Sequence, residues 1–424
     1  MGAALMFGTL TGIWGQTNSP PVLTTDRINE LADEARTNNA ALWAARARVN
    51  AAEQNALAVP IWRDPEVFVG GMAAERAMRA DDGDILYGVE QALPIFGKEK
   101  ALRRAAEAEI PFEEAGLDYE FQMLKKNLAA ALYEAAYRDE NLALIKEEAA
   151  WIETFARTVE ERYRGSEAGQ LDLLRAQNER SRFRQQVATE ENARMDAYAA
   201  VNRILNRNMF AAWEAMALPQ VAEPLHLNER LIDFALRFEP KLKALKKQLD
   251  KARAVEAAVR LEKRPDLAVE LEGRNYSRTG EGRSAMVLMK MKLPWLNRDK
   301  YRAAHNREKA RVNEVESLIE DYSHQAREEL HHMISKIDNA RREALLYRDE
   351  IIPRSELALS GVEAAWRANR VTLPEVLEAR QILIQSRRSY YRAVADQYIA
   401  LSELVLCCGA GDLEALQMLQ NKDQ

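Results

Sequence analysis

The chain has 424 residues, of which 30 % are charged, with a net charge of −6 and a mean hydropathy of −0.42. Acidic and basic residues are interleaved with no basic tract, which argues against nucleic-acid binding, and no run of eighteen apolar residues exists to form a transmembrane helix. Ala, Glu, Arg and Leu dominate, a profile for long solvated helices, and the adjacent Cys407 and Cys408 cannot staple distant parts of a fold.

The first segment, residues 1–23, contains an apolar stretch from Ala3 to Trp14, then Gln16 to Ser19 and Pro20-Pro21. Its length suits the core of an export signal, although the usual basic start is missing, so a disordered apolar start stays open. No cysteine stands nearby to carry a lipid. Residues 24–58 predict one amphipathic helix, capped by Thr24, Thr25 or Asp26 and apolar at Ile28, Leu31, Ala35 and Leu42. Strands are expected near 66–72 and 85–93, and Pro94-Ile95-Phe96-Gly97 breaks the pattern before a long helix from Lys98. Gly165, Ser166 and Gly169 are the breakers in Y-R-G-S-E-A-G-Q-L-D-L-L-R-A-Q (Tyr163 to Gln177), so the chain turns there into a second helix that ends near 207.

The order then repeats. Asn228 to Leu261 predicts a helix, 266–276 and 284–293 strands, and Pro294-Trp295-Leu296-Asn297 the break before a second helical hairpin over 298–408. Its turn is W-R-A-N-R-V-T-L-P-E-V-L-E-A-R (Trp366 to Arg380), where Asn369 suits a left-handed position and Pro374 the first turn of the returning helix. Pro65 matches Pro265 and Pro94 matches Pro294 at an offset of 200, as do Leu31, Ala35, Leu42 and Ala52 with Leu231, Ala235, Leu242 and Ala252. By the turns the offset is 203, which sets Asp172 against Glu375. The chain therefore divides into repeats at 24–217 and 218–409, with a tail over 410–424. Pro111 and Pro353 lie inside helical patterns without partners in the other half, and a break or kink is expected at each.

Leu267, Val269 and Leu271 alternate with Glu270, Glu272 and Arg274, while Val287, Met289, Met291 and Leu293 alternate with Lys290 and Lys292. Strands covered by helices on both faces read as continuously apolar, and these do not. Each is about the length that crosses a bilayer as a tilted strand, apolar toward lipid and charged toward water. A half-buried surface hairpin gives the same pattern. Four strands cannot close a barrel, and lipid tolerates no open edge, so strands in a membrane require a barrel shared among subunits.

These residues carry a resemblance. The duplicated order, the breaks L-P-I-F-G-K (Leu93 to Lys98) and L-P-W-L-N-R (Leu293 to Arg298), and the two turns resemble the TolC family of outer-membrane efflux proteins from about residue 24 onward. The first break is closer to the heavy-metal, CzcC- and CusC-like branch. The resemblance implies a mainly α fold with a small antiparallel β part, and a homotrimer sharing one transmembrane β-barrel above a long periplasmic helical tunnel. It further implies a non-enzymatic exit duct for metal ions or small toxic compounds, with a periplasmic adaptor, an inner-membrane pump and outer-membrane lipid as partners. Departures are Ser166 and Asn369 where the family favours Gly, and Glu375 where Asp is commoner. A soluble coiled-coil scaffold is the alternative.

No catalytic set, cofactor motif or metal site emerges. His331 and His332 are adjacent and cannot share a helix face. Met289 and Met291 fall on the apolar strand face, where an apolar role suffices. Glu375 and Glu378 stand three apart on one face past the second turn. The resemblance makes them a pore constriction, with six carboxylates in a trimer, whereas an ordinary helix start would also favour Glu. It makes Gly165, Ser166, Gly169, Asp172, Asn369 and Pro374 adaptor-docking tips, and the alternation makes Glu270, Glu272, Lys290 and Lys292 lumen-facing.

Overall fold

The computed structural model describes residues 20–72, 84–277 and 279–409. The export-signal stretch and the C-terminal tail fall outside these, apart from 20–23, where Val22 bridges to Ala217 and Leu23 is buried. The described chain is mostly helical with one small antiparallel sheet.

Where one helix was expected over 24–58 there are two, α1 (Thr25–Asn38) and α2 (Ala40–Ala58), separated at Asn39. Asn39 closes the first helix through its N–H to the Ala35 carbonyl and caps the second by accepting from the N–H groups of Ala41 and Leu42. Two hundred residues on, Glu239 does the same. It separates α6 (Glu229–Phe238) from α7 (Pro240–Leu261), donating its N–H to the Ala235 carbonyl and accepting from the Leu242 N–H with its carboxylate. Helical periodicity continues through both positions, which is why the sequence reads each as one helix. The capping side chains are the signal that a second helix begins.

Strands β1 (Glu66–Met72), β2 (Asp84–Leu93), β3 (Asp266–Tyr276) and β4 (Gly282–Lys292) pair antiparallel in that order. The sheet thus joins both halves of the chain, and among the described residues its edges, β1 and β4, are unpaired.

The first hairpin follows β2. Helix α3 (Lys98–Glu107) breaks at Ala108, three residues before Pro111, so the proline sits in the first turn of α4 (Glu109–Arg164), where a missing N–H costs little. At 56 residues α4 is roughly 80 Å long. Its buried stripe, Leu128, Leu132, Ala135, Leu142, Ile145, Ile152, Ala156 and Val159, keeps the three- and four-residue spacing of a coiled-coil seam. The returning α5 (Gln170–Ile204) and, from the other half, α10 (Leu373–Cys407) pack against α4. The second hairpin starts with α8 (Arg298–Leu346), passes through a π-helical segment (Tyr347–Ile351), and continues as α9 (Ile352–Arg367). Pro353 occupies the first turn after that segment, so the wide turn absorbs the carbonyl that its ring would meet.

One core joins α1, α2, α4 and α5 around Leu31, Leu42, Leu128, Leu132 and Leu205. A second joins α6, α8 and α10 around Leu231, Leu330, Ile337 and Leu404, with both cysteine thiols buried at its end. Burial pushes the Cys408 thiol up to about 12, which keeps it uncharged and unreactive.

Candidate functional site: a two-faced sheet and paired hairpin tips

The sheet's register fixes its faces. Glu270 lies opposite Glu90 on β2 and Leu288 on β4, and Glu272 opposite Gly88 and Met286. Because side chains alternate, Glu270, Glu272, Lys290 and Lys292 share one face with Glu90. Lys290 joins the strands across that face, ion-paired to Glu90 at 2.7 Å and also to the buried Glu270. Arg274 pairs with Glu272 at 2.6 Å.

The opposite face presents Val67, Val69, Ile85, Tyr87, Leu271, Val287, Met289 and Met291, all exposed. Val69 is 77 % exposed, and Val287 and Met289 are each 74 %. Such a continuous apolar surface is foreign to a soluble chain and marks contact with lipid or protein. A Cβ on Gly273 would stand 2.7 Å from the Tyr87 ring, so this glycine makes room for the aromatic of the neighbouring strand.

At the far end of the helices lie the two turns. Both helices entering them end alike: Ser166 (φ 62°) and Asn369 (φ 57°) are left-handed. The Glu167 N–H donates to the Arg162 carbonyl at 2.8 Å, and the Arg370 N–H to the Ala365 carbonyl at 2.9 Å. These are Schellman closures at an offset of 203. Gly165 precedes the left-handed residue with φ −78° and needs no glycine freedom. Gly169 precedes α5 as its N-cap without a side-chain cap, and Asp172 lies in the first turn of that helix, 4.0 Å from Arg175. Past the second turn the cap is complete. Thr372 and Glu375 form a capping box, with the Thr372 N–H donating to Glu375 Oε2 at 2.6 Å, and Pro374 occupies the first turn. Glu375 and Glu378 are both exposed there.

The tips are not free of each other. Arg162 lies over the Trp366 ring at 4.5 Å, donates to the Trp366 carbonyl at 3.4 Å and bonds the Asn369 side chain. Trp366 packs on Phe155 and Phe155 on Trp151, with centroids 4.8 and 4.7 Å apart, and Arg380 covers Trp151 at 4.7 Å. Arg380 also grips the buried Glu148 with two bonds. Sequence reasoning missed this ladder, since its members are scattered over three helices. Among the described residues, Arg367 and Arg380 pair with neither Glu375 nor Glu378. Arg367 instead reaches Glu363 at 3.7 Å, and Arg380 turns inward to Glu148.

Residues 31–207 match the family model described as outer membrane efflux protein. No curated protein matches the sequence. Among solved structures, the outer-membrane channel OprN shares the fold with a TM-score of 0.79 at 16 % identity, covering 91 % of this chain and 90 % of that one. VceC, the outer-membrane protein of Vibrio cholerae, aligns with a TM-score of 0.76 at 16 % identity over 91 % and 97 %. CusC gives 0.77 at 16 % identity over 92 % and 94 %. Over nine-tenths of its length the chain shares the fold of these solved outer-membrane channels. The family match thus covers the first repeat, and the likeness to the solved channels, all of low identity, is one of fold.

Proposed function

We propose that three copies of this chain form a passive exit duct, through which metal ions or small toxic compounds leave after delivery by an inner-membrane pump. The observation that carries the reading is the four-stranded sheet, with two edges unpaired among the described residues, one exposed apolar face and one charged face. Unpaired edges are not tolerated in hydrocarbon. Pairing β4 of one copy with β1 of the next keeps every contact antiparallel, and four strands from each of three copies close a twelve-stranded barrel. Lipid then meets Val69, Val287 and Met289, while Glu270, Glu272, Lys290 and Lys292 line the water-filled lumen.

The helices continue the barrel as a tunnel across the periplasm. Glu375 and Glu378 ring its narrow end, where carboxylates from three copies attract cations and repel anions. A periplasmic adaptor docks on the tips formed by Gly165, Ser166, Gly169, Asp172, Asn369 and Pro374. Gly165, Ser166, Gly169 and Asn369 are exposed at the turns, with Asp172 and Pro374 half-buried in the helix starts beyond them, and such tips serve a partner better than a core.

The test is fractionation followed by mass determination in detergent, with single cysteines on β1 and β4 oxidised in intact membranes. An outer-membrane trimer crosslinked between copies supports the duct. A soluble monomer would instead favour the coiled-coil scaffold. Photo-crosslinkers at Gly165 and Asn369 should capture the adaptor, and capture only from a mid-helix position such as Arg182 counts against tip docking.

A further inference from the structure

Where the sheet of the second repeat runs into its helices, a cavity of about 510 Å³ opens between the end of α7 and the start of α8. Its walls carry Arg260, Lys263, Arg264, Arg298 and Arg302, together with the exposed Trp295. Arg302 is paired with Asp299 at 2.8 Å, and Arg264 donates to the Phe96 carbonyl at 3.0 Å. Among the described residues, Arg260, Lys263 and Arg298 have no ion-pair partner, and all three are exposed. Glu256 is taken by His305 at 3.2 Å, which leaves Glu262 as the nearby acid without an ion pair.

The duplication supplies an internal control. At an offset of 200 the first repeat has Pro60, Arg63, Asp64, Lys98 and Leu102 in place of the five cations, and Ile95 in place of Trp295. There Lys98 is neutralised by Asp266 at 2.6 Å and Arg63 by Glu99 at 3.4 Å. The corresponding strand-to-helix break of the first repeat is thus built without an open cation cluster, so the duplicated plan does not require one. The cluster's position is also informative. Leu293, Trp295 and Leu296 are exposed and extend the apolar face of β4 past the strand end, with Leu296 76 % exposed. A tryptophan beside cations at the rim of an apolar band is the arrangement that meets a bilayer at its headgroup level.

We propose that this cavity binds the headgroup of an anionic glycerophospholipid from the periplasmic leaflet, with its phosphate held by Arg260, Lys263 and Arg298 and its acyl chains lying along Trp295 and Leu296. The inference rests on the barrel reading above, because only a sheet in the membrane brings lipid to this rim.

The test uses the full-length protein in detergent, titrated with phosphatidylglycerol carrying brominated chains. The fluorescence quenched at Trp295 is obtained by difference from W295F. Wild type should be quenched saturably, and R260Q/K263Q/R298Q should need about a hundredfold more lipid, given the usual contribution of each basic residue near an anionic surface. R298K, which keeps the charge, should behave as wild type, and circular dichroism confirms that each variant is folded. Equal quenching of wild type and the triple variant overturns the site. Displacement of the lipid by equal concentrations of glycerol 3-phosphate or inorganic phosphate also overturns it, assigning the cavity to a soluble phosphate compound. Vesicle flotation separates the two levels. A wild type that fails to float removes the barrel reading and this one with it, whereas floating proteins that do not differ in quenching overturn the headgroup site alone.

Discussion

Glu148 on α4 is 1 % exposed and receives Arg380 of α10 through two bonds, Nε to Oε2 at 2.7 Å and Nη2 to Oε1 at 2.8 Å. It ties the first hairpin to the second above the tips. Burial holds the Glu148 carboxyl above its ordinary range, with the Arg380 hydrogen bonds and charge acting in the opposite direction. Removing the arginine therefore strands a buried carboxylate, and R380M should lose about 3–5 kcal/mol at neutral pH. The sign of the pH dependence follows from the raised value. The protonated form is favoured in the folded chain, so stability is greatest below the unfolded pKa of about 4.3 and falls as pH rises through the folded one. Thermal unfolding of R380M should recover toward acid, and R380M/E148Q should recover at neutral pH. An R380M deficit that is independent of pH would mean that lost packing on Trp151 outweighs the stranded charge.

The same clasp would resist opening of the proposed duct at its narrow end. A hairpin that pivots away at the tips must give up Glu148–Arg380 and Arg162–Trp366 together. R380M is expected to raise resting conductance in planar bilayers by a measurable factor, and E148Q/R380M should stay leaky even though its stability returns. A double variant that regains the low resting conductance would separate the clasp from gating.

The two turn carboxylates are not equivalent. Glu375 is committed to the Thr372 N–H and hydroxyl in its capping box, whereas Glu378 has no partner among the described residues. E378Q should therefore lower cation preference more than E375Q. E375Q should instead weaken the start of α10, and T372A should cost about 1 kcal/mol. Reversal potentials of the two single variants under a salt gradient decide the matter. Equal losses would mean that both carboxylates face the pore alike.

Much of the architecture is legible in residues that act locally. The alternation along β3 and β4 announces a two-faced strand because a pleat puts neighbours on opposite sides, whatever the partner strand is. The helices and their turns are visible for the same reason, through Pro, Gly and the spacing of Leu and Ala. What stays hidden is contact between distant segments. Nothing in the chain near Trp151 says that Arg380 will cover it, and nothing near Glu375 says that Arg380 will turn away from it. The breaks at Asn39 and Glu239 were obscured because an apolar period running through a cap looks like an unbroken helix. The repeat itself held the clue, since a polar capping residue stands at the same place twice.

The sheet's faces give a direct prediction about insertion. Val287 is exposed on the apolar face, so V287R should cost about 2–4 kcal/mol if it sits near the middle of the bilayer, and folding into vesicles should fall accordingly. K290Q lies on the other face and should leave insertion intact while freeing Glu90 and Glu270 to change the channel's charge. Folding yield on heat-shift gels distinguishes the two. If K290Q blocks insertion and V287R does not, the faces are reversed.

The two left-handed turn residues should respond differently to glycine. Ser166 holds φ 62° and its side chain makes no hydrogen bond among the described residues, so S166G removes a conformational penalty of about 1 kcal/mol and should raise the unfolding temperature. Asn369 holds nearly the same angle, but its side chain also accepts from Arg162, which is itself stacked on Trp366. N369G therefore exchanges strain relief for a lost contact between hairpins and should be close to neutral. N369A keeps the strain and loses the contact, so it should destabilise by about 1–2 kcal/mol. R162K/N369G tests the coupling, because lysine cannot both stack on Trp366 and reach across the tip as the guanidinium does. The expected order of unfolding temperature is S166G, wild type and N369G together, then N369A. If N369G gains as much as S166G, the Arg162 contact contributes nothing, and the two tips are held together by the aromatic ladder alone.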